Sequence, residues 1–281
     1  MPNPNVWHQL GRLWPMMTLL CLGLQFIFPR LLRNSIDKND KQYGWIHLKT
    51  RSGGKAAEYL SYLFISGFIV TICTALAFYK WSDIQSIPAQ DRLYAPINEA
   101  QLLGSIMLGY QLYNFAICFI LPKDCGQIAN YAHHASTAFL AYFVLYPYVN
   151  YYAFFFVGIA EATNIPLTVV DACRAFPKLK EQIPKTNTMA RLIFAISFFI
   201  VRVFWWPYVS YTFWLLSIDL IRNGDATKIH NIFVVYIFLI GNIGLTLLQF
   251  FWGQKILLNT WKMIKSDTKK NDTDGTLKKE E

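Results

Sequence analysis

The sequence predicts an all-α protein, a polytopic membrane helical bundle with about seven transmembrane helices. Of its 281 residues, 54% are hydrophobic and only 15% are charged, and the apolar residues fall into long blocks. A helix needs about 20 mostly apolar residues to cross the hydrocarbon core of a bilayer. The basic residues lie between these blocks and in the C-terminal tail. The net charge of +9 therefore indicates membrane topology and argues against nucleic acid as a partner.

Seven apolar blocks are interpreted as spans, at about 13–32, 56–79, 97–121, 130–148, 151–176, 188–220 and 229–258. The first block could be a signal peptide, but no small-residue cleavage site follows it, which favours a retained span. The sixth is too long for one straight crossing, and Pro207 predicts a kink in it. The chain thus divides into an N-terminal span with a basic connection (1–54), a main helical domain (55–262) and a charged tail (263–281).

The distribution of Lys and Arg predicts the orientation of these spans. Alternate inter-span segments, 30–55, 122–129, 174–191 and 255–281, hold 20 of the 26 basic residues, and the segments on the other side hold 5. Cytoplasmic segments carry such an excess, so the C-terminus is predicted to face the cytosol.

The last four residues of the chain resemble a dilysine signal for retrieval to the endoplasmic reticulum. Lys278 and Lys279 stand at the fourth and third positions from the end, where cytosolic coat proteins would read them. A solvated charged tail is the alternative interpretation. The predicted location is therefore the endoplasmic reticulum membrane.

Residues 130–176 form an almost wholly apolar stretch that carries a few polar and ionisable side chains. His133 and His134 open the fourth span, and the fifth carries a polar row made up of Glu161, Asn164, Thr168 and Asp171. Offsets of 3, 7 and 10 keep this row on one helical face. Polar side chains are costly in a bilayer and usually face a bundle interior or a wet cavity. The row predicts a polar path that lines an intramembrane site.

Arg202 and Asn114 are further candidates for this site. Arg202 lies about as deep in the sixth span as Glu161 does in the fifth, and a buried guanidinium needs a carboxylate partner. We therefore expect a contact between Arg202 and Glu161, and we expect Asn114 of the third span to lie in the same half of the membrane as the histidines. The alternative is that these polar residues only tie helices together. No Cys/His spacing typical of a metal site occurs, so neither a metal nor a cofactor is predicted.

Adjacent histidines on a helix point about 100° apart, so one imidazole can face a site while the other packs beside it. Imidazole can serve as a base, an acid or a nucleophile near neutral pH. His133 and His134 are therefore candidate catalytic residues for acyl transfer from acyl-CoA to a lipid. No oxyanion hole or acyl-CoA headgroup site is visible in the sequence.

Four segments of the sequence resemble the TLC-domain family, which includes the ceramide synthases. They are GYQLYN at 109, YAHHAS at 131, GIAEATNIP at 158 and RVFWWPY at 202. The resemblance covers about residues 55–262 and implies a helical TLC bundle with a lipid-accessible central cavity lined by His133 and His134. In ceramide synthases this His pair is catalytic, and a motif with paired aspartates follows it.

The sequence departs from the ceramide synthases at that acidic motif. Glu161-Ala162-Thr163-Asn164-Ile165-Pro166 stands in its place, and Asn114 occupies the acidic position of the GY-x-x-x-Asp pattern of the small members. The chain thus resembles the small TLC-domain proteins more closely. The leading hypothesis is a protein that binds membrane lipid or acyl chains and influences membrane lipid composition. The alternatives are an acyl-CoA-dependent acyltransferase and a lipid transporter gated by Glu161 and Arg202, which the lack of an inverted repeat disfavours.

Overall fold

The computed structural model describes residues 13–146, 148–223 and 232–277, with side chains described as far as residue 258. Seven long helices follow one another in these parts of the chain: α1 Leu13–Ser35, α2 Ala56–Ile84, α3 Asn98–Ile120, α4 Ile128–Val144, α5 Asn150–Ala175, α6 Pro184–Asn223 and α7 Ile232–Leu277. Six of them, all except α4, are long and apolar enough to cross a membrane. In α7 the segment that meets this condition is Ile232–Leu258. The described residues contain no strand beyond one isolated bridge between Lys49 and Lys55. The predicted polytopic helical bundle is confirmed.

The helix α4 is shorter than its predicted span, with 17 residues, or about 25 Å of helix. It ends at Val144 because the chain turns sharply into α5. Asn150 fixes this turn: its Nδ2 donates to the carbonyls of Val144 and Tyr148, at 2.9 and 3.1 Å. Val149, just before it, has a left-handed backbone with φ of 51°, a conformation that β-branched residues rarely adopt. Pro147 and Asn150 predict a tight turn at this place in the sequence, and the described residues on either side of residue 147 confirm it.

The helix α3 lies at the centre of the bundle and packs against α1, α2 and α4. The contact with α1 is close because residue 109 is glycine. A Cβ atom there would lie 2.6 Å from the Trp14 carbonyl oxygen. Thr18 Oγ1 donates to the Gly109 carbonyl at 3.1 Å, and Tyr113 Oη donates to Gln25 Oε1 at 2.8 Å. The N-terminal helix is thus packed into the same bundle as the helices that follow it.

Two helices depart from α geometry inside the bundle. In α5, Phe154–Gly158 is π-helical and Ile159–Thr163 is a 3₁₀ segment. In α6, Phe199–Trp205 is π-helical and ends two residues before Pro207. Pro207 has no backbone N–H to donate to a carbonyl in the preceding turn, which accounts for an irregular helix at the predicted position of the kink. Such irregular turns often occur at functional sites, and here they carry Glu161 and Arg202.

The connection between α1 and α2 is folded against the ends of other helices. Trp45 packs on Phe176, with ring centroids 4.7 Å apart, and the Arg51 N–H donates to the Ala175 carbonyl at 2.9 Å. Thr50 Oγ1 donates to Asp124 Oδ1 at 2.7 Å. Burial raises the pKa of the Asp124 carboxyl above its usual value, while the hydrogen bonds from hydroxyl groups oppose that rise.

Candidate functional site

Arg202 is the centre of a buried group of polar side chains from three helices. Its side chain is 5% exposed. Nε donates to Thr163 Oγ1 of α5 at 2.8 Å, and Nη1 donates to Gln249 Oε1 of α7 at 3.2 Å. Nη2 lies 3.7 Å from Glu161 Oε1, which confirms the expected contact between the guanidinium and this carboxylate. Each nitrogen of the guanidinium therefore has a polar neighbour, as a buried charge requires.

Glu161 is held from its other side by its own helix. Asn164 Nδ2 donates to Glu161 Oε2 at 2.6 Å, so both carboxylate oxygens have polar neighbours. We call Arg202, Glu161, Thr163, Asn164 and Gln249 the Arg202 cluster. Its opposite charges are buried together with hydrogen-bonding groups around them, which keeps a charged pair tolerable inside an apolar bundle.

The two histidines of α4 face different neighbours. His134 Nδ1 lies 2.7 Å from Gln111 Oε1 of α3. Gln111 Nε2 donates to Met107 Sδ, so its oxygen is the group that accepts from His134. Neutral His134 thus carries its proton on Nδ1 and has a lone pair on Nε2. The His133 ring contacts Trp252 of α7 at 5.7 Å between centroids, and its Nδ1 is buried with no hydrogen-bond partner among the described residues.

The helix α7 connects the Arg202 cluster with the histidine pair. Gln249, which binds Arg202, and Trp252, which packs on His133, are three residues apart and share one face. Polar residues continue along that face at Thr246 and Asn242, and both are buried. The sequence analysis overlooked this row, although its offsets of 4 and 7 from Asn242 are the same kind of signal as the row on α5.

An apolar cavity of about 70 Å³ lies next to these polar residues. It is lined by residues of α4, α5, α6 and α7, together with Val149 from the turn before α5. Each of the four helices carries a polar residue four positions from a residue that lines the cavity, and these four polar residues all lie at the same end of the cavity. The pairs are His133 and Thr137 on α4, Glu161 and Val157 on α5, Arg202 and Trp206 on α6, and Gln249 and Leu245 on α7. The polar residues therefore close one end of an apolar chamber.

Neither histidine is among the residues that line this cavity, which begins one turn further along α4, at Thr137. The predicted lining of the cavity by the His pair is therefore not confirmed. The imidazoles and the Arg202 cluster nevertheless lie at the same end of the chamber, because α7 joins them.

The predicted polar row on α5 divides into two parts. Glu161 and Asn164 join the Arg202 cluster, whereas Asp171 pairs with Arg174 at 3.0 Å. Thr168 Oγ1 donates to the backbone carbonyl of Asn164 at 2.9 Å, within its own helix. Thr163 faces Arg202 instead of Thr168, because the 3₁₀ segment Ile159–Thr163 changes the register of side chains along α5.

The remaining candidates lie outside this cluster. Asn114 is buried on α3, and its Oδ1 has no hydrogen-bond partner among the described residues. Lys278 and Lys279 lie outside the residues that the structure describes. Where side chains are described, no three His, Cys, Asp or Glu residues are grouped to hold a metal ion, and all five cysteines are buried as free thiols.

The comparisons with known proteins agree with this architecture. The family model of the TLC domain matches residues 55–258, which include α2 to α6, the apolar part of α7 and every residue of the Arg202 cluster. No curated protein and no solved structure matches the chain. The helix α1 precedes the matched region. Because the match covers most of the sequence, the chain belongs to the TLC-domain family of multispanning membrane proteins.

Proposed function

We propose that this protein binds a membrane lipid with the polar part against the Arg202 cluster and the His pair and with part of its chain in the apolar cavity. Through this binding it influences the lipid composition of its membrane. The observation that carries the proposal is the position of the polar residues at one end of the cavity. A lipid has the same order of polar and apolar parts.

The size of the cavity sets how much of a lipid it takes. A volume of about 70 Å³ is about half that of the roughly 150 Å³ engineered cavity that binds one benzene molecule. The cavity therefore holds a segment near the headgroup, and the rest of each chain lies between the helices or in the bilayer. A lipid chain leaves an equally apolar bilayer, so hydrophobic burial contributes little to binding. Selectivity then comes from the polar end of the site.

Interhelical hydrogen bonding alone is the simplest competing explanation for the polar residues. It accounts for Arg202, Glu161 and Gln249, which bind one another across three helices. It does not account for His133 Nδ1 and Thr137 Oγ1, which are buried without partners among the described residues. Unpaired polar atoms at the edge of a cavity favour a ligand that pairs with them.

The proposal also covers the subgroup of the TLC-domain family to which the protein belongs and the membrane in which it lies. The acidic motif of ceramide synthases is replaced by Glu161 to Pro166, which favours a place among the small TLC-domain proteins. The 20 to 5 distribution of basic residues and the dilysine at Lys278 and Lys279 favour the endoplasmic reticulum with the C-terminus in the cytosol. The partners in this proposal are membrane lipids, and cytosolic coat proteins that read the dilysine.

Filling the cavity should remove the bound lipid. Ala141 lines the cavity and is 1% exposed, so an Ala141→Leu side chain would occupy the space. We expect native mass spectrometry of the detergent-purified protein to find a retained phospholipid or sphingolipid on the wild type and at least about tenfold less on the variant. Overpacking costs about 1–3 kcal/mol, so the thermal midpoint is measured alongside.

The matched control is Ala135→Leu, on the same helix but exposed on the outer surface of the bundle. It should keep the lipid. The cellular counterpart is lipidomics of a deletion strain, where changed acyl profiles of phospholipids or sphingolipids are expected. A wild-type protein without bound lipid, together with unchanged profiles, would count against the proposal.

A second candidate function is acyl transfer from acyl-CoA to a lipid hydroxyl or amine. The observation that favours it is the hydrogen bonding of the ring nitrogens of His133 and His134. Gln111 fixes the His134 proton on Nδ1, so Nε2 can take a proton, and His133 Nδ1 has no described partner. One imidazole would remove the proton from the acceptor as it attacks the thioester carbonyl, and that proton would leave with the coenzyme A thiol. General base catalysis of this kind contributes about 10²–10⁴-fold to a rate.

The test of this second function uses purified protein, labelled acyl-CoA and candidate lipid acceptors. A His133→Ala, His134→Ala double variant should lose at least about a hundredfold in rate, as expected for loss of the base. A Ser136→Ala variant, which changes a neighbouring exposed residue of α4, serves as the control and should keep its activity. Activity that survives the double variant would remove the histidines from the mechanism.

A further inference from the structure

We infer that Thr137 and Asn242 bind the carbonyl oxygen of an ester linkage in the lipid that occupies the cavity. This inference rests on the proposed lipid binding and names the chemical class of its ligand. Both residues line the cavity, from α4 and α7. The rest of the lining is hydrocarbon and aromatic rings, except for the hydroxyl of Tyr152, which lies five residues further from the polar end along α5 than Val157. Two hydrogen-bonding side chains in an apolar chamber mark the place where a polar group of the ligand lies.

The hydroxyl group of Thr137 is available to a ligand. A helical threonine commonly satisfies its hydroxyl by donating to the carbonyl three or four residues earlier. Here the His133 carbonyl accepts from Ser136 Oγ at 3.0 Å. Thr137 Oγ1 is buried and has no hydrogen-bond partner in the described part of the chain. An O–H donor therefore stands unused at the wall of the cavity.

The amide of Asn242 is oriented by a neighbouring tryptophan. Trp214 Nε1 donates to Asn242 Oδ1 at 2.8 Å, and an indole nitrogen can only donate. This hydrogen bond fixes which end of the amide carries the oxygen, and the Nδ2 hydrogens at the other end can donate to a ligand. Asn242 is 6% exposed, so bulk solvent does not satisfy that donor.

Both available groups can donate a hydrogen to a ligand, so an acceptor atom of the ligand can pair with both of them. An ester carbonyl offers only acceptor atoms, so it pairs with Thr137 Oγ1–H and Asn242 Nδ2–H. An ether linkage lacks the carbonyl oxygen. The site therefore prefers ester-linked lipids over ether-linked lipids.

The position of the donors along the helix suits such a lipid. Thr137 lies one turn from His133, which is about 6 Å along the helix axis. A headgroup at the Arg202 cluster and the His pair would place an ester carbonyl at this depth. The chain that follows would meet the rings of Phe213 and Phe238, which line the part of the cavity further from the polar end.

The test is a competition between ester and ether lipids on the purified full-length protein. Diacyl phospholipids and their dialkyl ether analogues, matched in chain length, are offered in pairs with choline, ethanolamine and serine headgroups, and bound lipid is counted by native mass spectrometry. We expect the wild type to prefer the ester lipid by about tenfold, the effect of one or two good hydrogen bonds. In Thr137→Val and Asn242→Leu the ratio should fall towards one.

Thr137→Val keeps the shape of the side chain and removes an unpaired hydroxyl, so it should fold as well as the wild type. Thr71→Val, on an exposed part of α2, is the control and should keep the wild-type ratio. Equal binding of ester and ether lipids by the wild type would overturn this inference and leave lipid binding intact. A preference that persists in both variants would also overturn it. If no lipid of any pair binds, the proposed function fails and this inference fails with it.

Discussion

An Arg202→Met variant is expected to lose about 3–5 kcal/mol of stability, the cost of breaking a buried ion pair by removing one partner. Methionine has a similar length, but it leaves the Glu161 carboxylate buried without a counter-charge and takes the donors away from Thr163 and Gln249. The measurement is the thermal midpoint of the detergent-purified protein, followed by the intrinsic fluorescence of its 9 tryptophans.

The control for this experiment is Arg222→Met, at the exposed end of the same helix, which should change the midpoint little. A double variant, Arg202→Met with Glu161→Gln, should be more stable than Arg202→Met alone, because the carboxylate is no longer charged. Equal midpoints for Arg202→Met and Arg222→Met would mean that the ion pair does not stabilise the bundle.

The second large effect is expected at Gly158, where α5 passes close to α2. A Cβ atom on residue 158 would lie 2.2 Å from Ala77 Cβ and 3.2 Å from the Cys73 carbonyl oxygen. A clash with a Cβ and with backbone forces the helices apart, so Gly158→Ala should destabilise the protein by about 1–3 kcal/mol or more. Thermal unfolding of the purified variant checks this.

Gly244→Ala provides the matched comparison, since a Cβ there meets nothing within 4 Å. Alanine is more favourable than glycine inside a helix by about 1 kcal/mol. This variant should therefore be at least as stable as the wild type. The two glycine variants should thus move the midpoint in opposite directions. A midpoint for Gly158→Ala at or above that of the wild type would contradict the close contact between α5 and α2.

The helices themselves could be predicted from the sequence because lipid allows few alternatives. Backbone groups in hydrocarbon must be hydrogen-bonded within the segment, so each long apolar block forms a helix. At the end of α4 the apolar residues continue through a turn, which Pro147 and Asn150 predict. The sequence does not show which carbonyls accept hydrogen bonds from Asn150, nor the left-handed backbone of Val149.

The site was predictable only in part. Glu161 and Arg202 could be paired from their types and depths, because a buried charge requires a partner. The identity of the other partners depends on which helices are neighbours and on the irregular turns in α5 and α6. Those turns rotate Thr163 towards Arg202 in place of Thr168. Gln249 and Thr246 of α7 were missed because they are neutral, and a neutral polar side chain in a membrane helix does not require a partner as strictly as a charged one does.

The left-handed conformation of Val149 has a consequence for which residues suit this position. Glycine would relax the backbone, since a non-glycine residue in an unfavourable region costs about 1–3 kcal/mol. It would also delete an isopropyl group that stands between the main chamber and a smaller apolar cleft beside Leu93 and Leu220. Valine at this position therefore separates the two cavities, at the cost of an unfavourable backbone conformation.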